Sequence, residues 1–188
     1  MRGIFSPVKR VSLRKNAAGA IMLLDGVYFY PIINKGAFFM ADKNIMSYET
    51  VALDEENHAL VIIDQTKLPG EVEILHLTEQ KDIWQAIYLL QVRGAPAIGV
   101  AAGFGLYLAA RQIQAEDFDG FYRQLHEAKE YLNSSRPTAV NLSWALNRME
   151  QVALDNRDKP VAEIKELLRR ECIAIKDEDV WMCRQIGE

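Results

Sequence analysis

Arg93-Gly94-Ala95-Pro96-Ala97-Ile98-Gly99-Val100-Ala101-Ala102-Gly103-Phe104-Gly105-Leu106-Tyr107-Leu108-Ala109-Ala110 is the stretch that decides the architecture. From Gly94 to Ala110, 17 consecutive residues carry no charge. A run of that length sits at the lower limit for a bilayer span, and Gly99-x-x-x-Gly103 is a spacing known from paired membrane helices. The flanks argue against a span. Proline stands at the start, where an α-helix tolerates it, and the neighbouring segments are acidic and amphipathic. The expectation is a buried central helix over about 96–113, packed closely by its neighbours through Gly99, Gly103 and Gly105. Each glycine costs about 1 kcal/mol against alanine in a helix, so close packing has to repay them. Gly103-x-Gly105 is no dinucleotide fingerprint, because no strand precedes it and the third glycine is missing.

The same stretch opens with the strongest local signal for a site. A helix N-terminus leaves about four backbone N–H groups unpaired and carries roughly half a positive charge. Gly94 lets a ligand approach the backbone closely. Arg93 adds a planar fork that matches phosphate. Together they make an anion site; a plain interhelix turn with a surface arginine fits the spacing too. Arg136-Pro137-Thr138 repeats the arrangement, an arginine directly before a proline-initiated helix expected over about 138–155. Two such ends in one bundle can converge on one anion, or one can be structural. Ser134, Ser135 and Thr138 read first as ordinary capping hydroxyls and second as ligand donors.

Outward from this centre, Ile83, Trp84, Ile87 and Leu90 sit at helical spacing after Thr78, a capping residue, giving a helix over about 79–90. Upstream of it, residues 47–54, Ala59–Asp64 and Glu71–Leu77 read as strands separated by Asp54-Glu55-Glu56-Asn57 and Lys67-Leu68-Pro69-Gly70. Short turns make them an antiparallel meander. Downstream, Asp117 or Asp119 opens a helix over about 118–133, and Asp158 with Pro160 opens the last, running to about 183. The fold class is therefore α+β: a small antiparallel β-meander followed by a helical bundle.

The chain has 188 residues, 49% apolar and 26% charged, with a net charge of −4 and a pI near 5.5. That excludes a disordered or collagenous chain and disfavours nucleic acid as a partner by bulk electrostatics. Two cysteines exclude a disulfide framework and fit a reducing, cytoplasmic setting. Charge is uneven. Residues 1–45 hold seven of the 22 basic residues and two of the 26 acids (Asp25 and Asp42). The run Ala20–Leu24 is too short for a secretory signal, and Val27–Ile33 looks strand-like without an evident pairing partner. Residues 1–45 are expected to be a non-native or unstructured extension upstream of a natural start at Met46. At the other end the helical pattern still runs at Ile186-Gly187-Glu188, which gives an expectation of truncation. His58, His76 and His126 lack metal-ligand spacing. Cys172 and Cys183 lie eleven residues apart on one helical face and read as core or inert, with no neighbouring histidine to activate them. Glu163, Glu166, Glu171, Asp177, Glu178 and Asp179 read as a solvated helix face.

Three segments carry a resemblance. Val92–Ala102 resembles the signature of the methylthioribose-1-phosphate isomerase family, Ser135-Arg136-Pro137-Thr138-Ala139-Val140-Asn141-Leu142 its second signature, and Ile63-Asp64-Gln65-Thr66-Lys67-Leu68-Pro69 its opening segment. The resemblance runs from about Met46 to Glu188 and leaves residues 1–45 uncovered. The larger group includes regulatory subunits of translation initiation factor two-B, so a non-catalytic binding subunit stands as the alternative. The resemblance implies a sheet-then-helices N-terminal domain, followed in the family by a Rossmann-like domain absent from this chain. It implies conversion of 5-methylthioribose 1-phosphate to 5-methylthioribulose 1-phosphate in methionine salvage. It carries substrate contacts onto Arg93, Gly94, Ala95 and Arg136. It further implies a homodimer acting on a phosphorylated sugar, with no metal, no nucleotide cofactor, no nucleic acid and no membrane. The family's catalytic cysteine and aspartate belong to the other domain; Cys172 and Cys183 do not match that cysteine motif. The chain is on this ground expected to bind without catalysing, and to leave an apolar face exposed.

Overall fold

The computed structural model describes residues 49–187 continuously and three two-residue strands nearer the N-terminus. The chain falls into two compact units, Met1–Lys43 and Asn44–Glu188. In the first, β1 (Arg14–Lys15), β2 (Ile21–Met22) and β3 (Tyr28–Phe29) form an antiparallel meander in that order. Tyr28–Phe29 therefore has a partner that its sequence neighbourhood did not announce: Ile21 pairs with Phe29 and Met22 with Tyr28. The proposed start at Met46 and the N-terminal part of the 47–54 strand fall on residues outside the described ones.

The second unit is an α+β domain of one sheet and five helices. Its sheet comprises β4 (Val51–Asp54), β5 (Ala59–Ile63) and β6 (Ile74–Leu77), antiparallel with β5 central. Leu60 stands opposite both Leu53 and Leu77, so one face is apolar. Leu60 and Ile62 are fully buried while Val61 is not, the period-2 signature of a sheet covered on one side. The third strand is shorter than the expected 71–77. The Glu71 N–H donates to the Lys67 carbonyl instead of a ladder, and the Glu73 carbonyl accepts from Asp64 N–H. The first bond belongs to the 64–71 turn, and the second extends the β5–β6 pairing by one residue.

The helices are α1 (Gln80–Tyr88), α2 (Ala95–Gln112), α3 (Phe118–Asn133), α4 (Val140–Asp155) and α5 (Val161–Gly187). Helix α2 is the axis of the domain, with every residue from Ile98 to Leu108 buried. The membrane alternative is answered by packing: sheet and helices surround it, and among the described residues no helix is long and apolar enough to cross a membrane. Its glycines serve three different neighbours. A Cβ on Gly99 would stand 2.9 Å from the Asn141 carbonyl oxygen of α4, one on Gly103 3.5 Å from Ile175 of α5, and one on Gly105 2.9 Å from Ile83 of α1. The backbone approach offsets the propensity cost of these residues. The C-terminal end of α2 is closed by Lys165 of α5, whose ammonium donates to the carbonyls of Ile113 at 2.6 Å and Arg111 at 3.3 Å, a cation placed where the helix dipole favours it. The outer helices lay apolar stripes on this axis: Phe121, Leu125 and Leu132 of α3, Leu142, Leu146 and Met149 of α4, and Ile164, Leu168, Cys172 and Ile175 of α5. Each fully buried leucine or phenylalanine is worth about 1.5–3 kcal/mol.

Of the alternatives for α3, Asp117 is the cap; its carboxylate accepts from Gly120 N–H at 2.8 Å. Thr78 is not the cap of α1. Glu79 occupies that position without a side-chain hydrogen bond.

Candidate anion site at two helix ends

The loop carrying Arg93 begins with an unusual helix end. Leu90 has φ of 60°. Its N–H donates to the Ile87 carbonyl and the Gln91 N–H to the Ala86 carbonyl, which is the Schellman arrangement with leucine in the place glycine normally takes. Holding a leucine in the left-handed region costs about 1–2 kcal/mol. The turn throws the Leu90 carbonyl toward Arg93, whose Nε donates to it at 3.0 Å. Gly94 follows with φ of 94°, a value that favours glycine. Helix α2 then starts at Ala95, so Pro96 holds its second position. The first helical bond is Ile98 N–H to the Gly94 carbonyl. The N–H groups of Ala95 and Ala97 thus have no helical acceptor, and no side chain caps them.

The second loop corrects the sequence reading in two respects. Helix α4 starts at Val140 rather than 138, and Arg136–Ala139 is a tight turn closed by Ala139 N–H to the Arg136 carbonyl at 2.9 Å. Pro137 is at the second position of that turn, where its fixed φ fits, and not in the helix. The serine hydroxyls are committed elsewhere. Ser134 donates to the Tyr131 carbonyl and Ser135 to the Leu132 carbonyl, both at 2.6 Å, closing the end of α3 rather than opening α4. Ser134 Oγ also accepts from Trp84 Nε1 at 3.0 Å. Trp84 stacks on Tyr88 and on Tyr131, at 4.9 and 6.1 Å between centroids. That aromatic brace ties the helix leading into the Arg93 loop to the helix leading into the Arg136 loop.

The two helix starts are neighbours. The close approach of Gly99 to the Asn141 carbonyl joins the second turn of α2 to the first turn of α4. The first helical bond of α4 is Ser143 N–H to the Ala139 carbonyl, so Val140, Asn141 and Leu142 present N–H groups without helical acceptors. Two positive dipole ends therefore lie side by side, each preceded by an arginine. Arg93 is exposed and Arg136 half-buried, and among the described residues neither has a carboxylate partner. Beside them a small cavity of about 70 Å³ is lined by Pro96, Gly99, Asn141, Trp144, Glu178 and Met182, among others. Of its two acids, Glu178 and Asp179, the first is neutralised: Arg148 holds Glu178 through two bonds of 2.5 and 2.7 Å, pairs with Glu171, and lies over the Trp144 ring. The bonds to Glu178 and Glu171 outweigh partial burial and raise the guanidinium pKa, while Arg148 pulls the Glu178 carboxyl down.

The acidic run of α5 is thus only partly a solvated face. Glu171 and Glu178 serve Arg148, and Glu166 serves Arg169 and Arg170, whose hydrogen bonds bring its pKa to about 2. Cys172 is fully buried, and burial pushes its thiol up to about 12; Cys183 is exposed, because α5 runs past the core before reaching it. Among the described residues no cluster of three or more His, Cys, Asp or Glu side chains could hold a metal ion. The arrangement gathers uncapped N–H groups and two guanidinium groups at neighbouring helix starts. Neither loop carries an acid, base or nucleophile suited to proton transfer.

Sequence reasoning missed Asp64. It is buried, and its carboxylate accepts from Thr66 N–H at 2.9 Å, Thr66 Oγ1 at 2.6 Å and Gln91 Nε2 at 2.7 Å. The segment Ile63–Pro69 was recognisable as a motif, yet nothing in its composition said that it reaches the loop at Gln91.

A family model described as the initiation factor 2 subunit family matches residues 91–188, which include both loops. A methylthioribose-1-phosphate isomerase of Symbiobacterium thermophilum is 54% identical over 140 residues, 74% of this chain and 39% of that protein. The crystal structure of 5-methylthioribose 1-phosphate isomerase from Pyrococcus horikoshii OT3 superposes with a TM-score of 0.66 at 41% identity, covering 70% of this chain and 36% of that one. The translation initiation factor eIF-2B subunit delta from A. fulgidus gives 0.64 at 39% identity, covering 71% and 38%. The chain spans about two fifths of the length of the relatives it matches.

Proposed function

We propose, because this chain belongs to the initiation factor 2 subunit family, that its paired helix ends hold the phosphate of a phosphorylated sugar. The substrate is 5-methylthioribose 1-phosphate and the reaction its isomerisation to 5-methylthioribulose 1-phosphate. The observation that carries this reading is the side-by-side start of α2 and α4, each with uncapped N–H groups and an arginine before it. Support for the sugar phosphate comes from the isomerase relative at 54% identity. Arg93, Gly94, Ala95 and Arg136 are the contacts. The guanidinium groups supply charge and a planar fork. Gly94 keeps the approach open, and the Ala95 N–H donates at the dipole end.

Phosphate on the anomeric carbon fixes the sugar as a closed ring, so isomerisation needs ring opening and a proton shift from C2 to C1. Those steps call for an acid/base group. The two loops do something else: they clamp the phosphate so that C1 and C2 are held at one place and angle, which lowers the entropic part of the barrier. The same reading makes the protein a cytoplasmic homodimer in methionine salvage, with residues 46–188 as the isomerase-like part.

Amide NMR of the 188-residue chain titrated with 5-methylthioribose 1-phosphate tests this. Shifts concentrated at Gly94, Ala95, Ala97, Asn141 and Leu142 are expected; shifts elsewhere, with these amides still, would refute it. A second reading, a non-catalytic binding subunit, is favoured by the likeness to the initiation-factor subunit. It predicts binding of the sugar phosphate without isomerisation by the full-length protein.

A further inference from the structure

Asp54 and Asp64 both close turns through neighbouring backbone, and they differ in burial. Asp54, the last residue of β4, accepts from Asn57 N–H at 3.0 Å and Asn57 Nδ2 at 2.7 Å with solvent beside it. Asp64, after β5, makes the corresponding bonds to Thr66 while only 2% exposed. A buried carboxylate is costly unless hydrogen-bonded, and the turn alone does not require burial. The additional feature is the bond from Gln91 Nε2 to Asp64 Oδ2, across 27 residues of sequence, with Gln65 N–H donating to the Gln91 carbonyl at 2.9 Å beside it. Gln91 directly follows the left-handed Leu90, and the Leu90 carbonyl holds Arg93 Nε. A residue in a sparsely populated backbone region persists only where its surroundings over-determine it. The Asp64–Gln91 pair and the Gln65–Gln91 bond supply that determination.

We propose that Asp64 is a positioning residue for the anion site, its buried carboxylate clasping Gln91 so that Leu90, Arg93 and Gly94 are held in the ligand-binding arrangement. This rests on the reading of the Arg93 loop as the phosphate site. Burial pushes the Asp64 carboxyl upward, but the bonds from Thr66 and Gln91 outweigh it and leave the group below its ordinary value. The clasp is therefore charged through the neutral range.

The test exchanges donor and acceptor. Gln91→Met keeps the volume and deletes the bond. Gln91→Glu sets two carboxylates against each other, and Asp64→Asn/Gln91→Glu restores a bond with its polarity reversed. In the free 188-residue chain, the amide order parameters of Arg93 and Gly94 should fall from about 0.85 to below about 0.6 in both single variants and recover in the double variant. Affinity for 5-methylthioribose 1-phosphate should fall about tenfold and recover likewise. Unmoved order parameters in the single variants, or a double variant no better than Gln91→Glu, would overturn the clasp. So would a melting temperature lowered in Gln91→Met and left lowered in the double variant, since that marks a role in stability alone. Arg93→Ala separates the two ideas: unchanged affinity there removes the loop as a phosphate site, while the order parameters still decide the clasp.

Discussion

Gly99 and Gly103 lie one helical turn apart, yet alanine should act oppositely at the two. At Gly99 the new Cβ meets a backbone carbonyl at 2.9 Å, which cannot yield without moving the start of α4. Overpacking of that kind costs about 1–3 kcal/mol and exceeds the propensity gain of about 1 kcal/mol. At Gly103 the nearest atom is a side-chain carbon of Ile175 at 3.5 Å, ordinary contact distance, so the propensity gain survives. Urea denaturation should show Gly99→Ala less stable than the parent and Gly103→Ala equal or more stable. Because Gly99 sets the spacing of the two helix starts, Gly99→Ala should also weaken sugar-phosphate binding, and Gly103→Ala should leave it unchanged. Equal effects of the two substitutions would mean that Gly99 does not govern that spacing.

Between elements, the most consequential polar contact is a cluster joining α3 to α4. Glu150 accepts from Lys129 Nζ at 2.7 Å and from Tyr122 OH at 3.3 Å, and His126 Nδ1 lies 2.6 Å away. Glu130 stands 3.6 Å from the same lysine. Lys129 is buried, so Glu150→Gln leaves an ammonium poorly paired and should cost about 3 kcal/mol. Partial burial raises the Glu150 carboxyl, but the bonds from Lys129 and His126 lower it by more, for a net depression. A depressed carboxyl contributes stability above its unfolded value and loses it as pH falls through the folded one. The advantage of the parent over Glu150→Gln, read from denaturant midpoints, should thus be full near neutrality and shrink below about pH 4. A difference independent of pH would show that the charge of Glu150 is not what matters. Most of the elements themselves were legible, for physical reasons. Asp117 caps α3 because a short carboxylate three residues ahead of Gly120 has one good acceptor geometry. The start of α4 was misplaced because Arg136-Pro137-Thr138-Ala139 serves equally as a first helical turn or a separate tight turn, and only the packing of Asn141 on Gly99 decides. Residues 71–73 alternate as a strand should, yet the Glu71 N–H is claimed by the Lys67 carbonyl of the preceding turn.

At the scale of the whole described domain, the core ends before the chain does. No residue of α5 beyond Ile175 is buried; Trp181 is 62% exposed and Ile186 86%. Trp181→Ser with Ile186→Ser should leave stability within about 0.5 kcal/mol and reduce self-association in sedimentation velocity, because a large exposed apolar patch drives association. A melting temperature lowered by several degrees would mean that the end of α5 packs in solution. The site was half legible from sequence. Arg93-Gly94 and Arg136 were readable as arginines ahead of two helix starts, since arginine, glycine and a helix N-terminus act locally. Their adjacency, the Trp84 brace and the Asp64 clasp depend on contacts across 27 to 50 residues, which spacing does not encode. The proposed site has both arginines hold one phosphate. Calorimetric titration of 5-methylthioribose 1-phosphate into the parent, Arg93→Ala and Arg136→Ala chains tests it most directly. Each substitution should weaken binding by about tenfold or more with the melting temperature unchanged; affinity unaltered in either variant would contradict it.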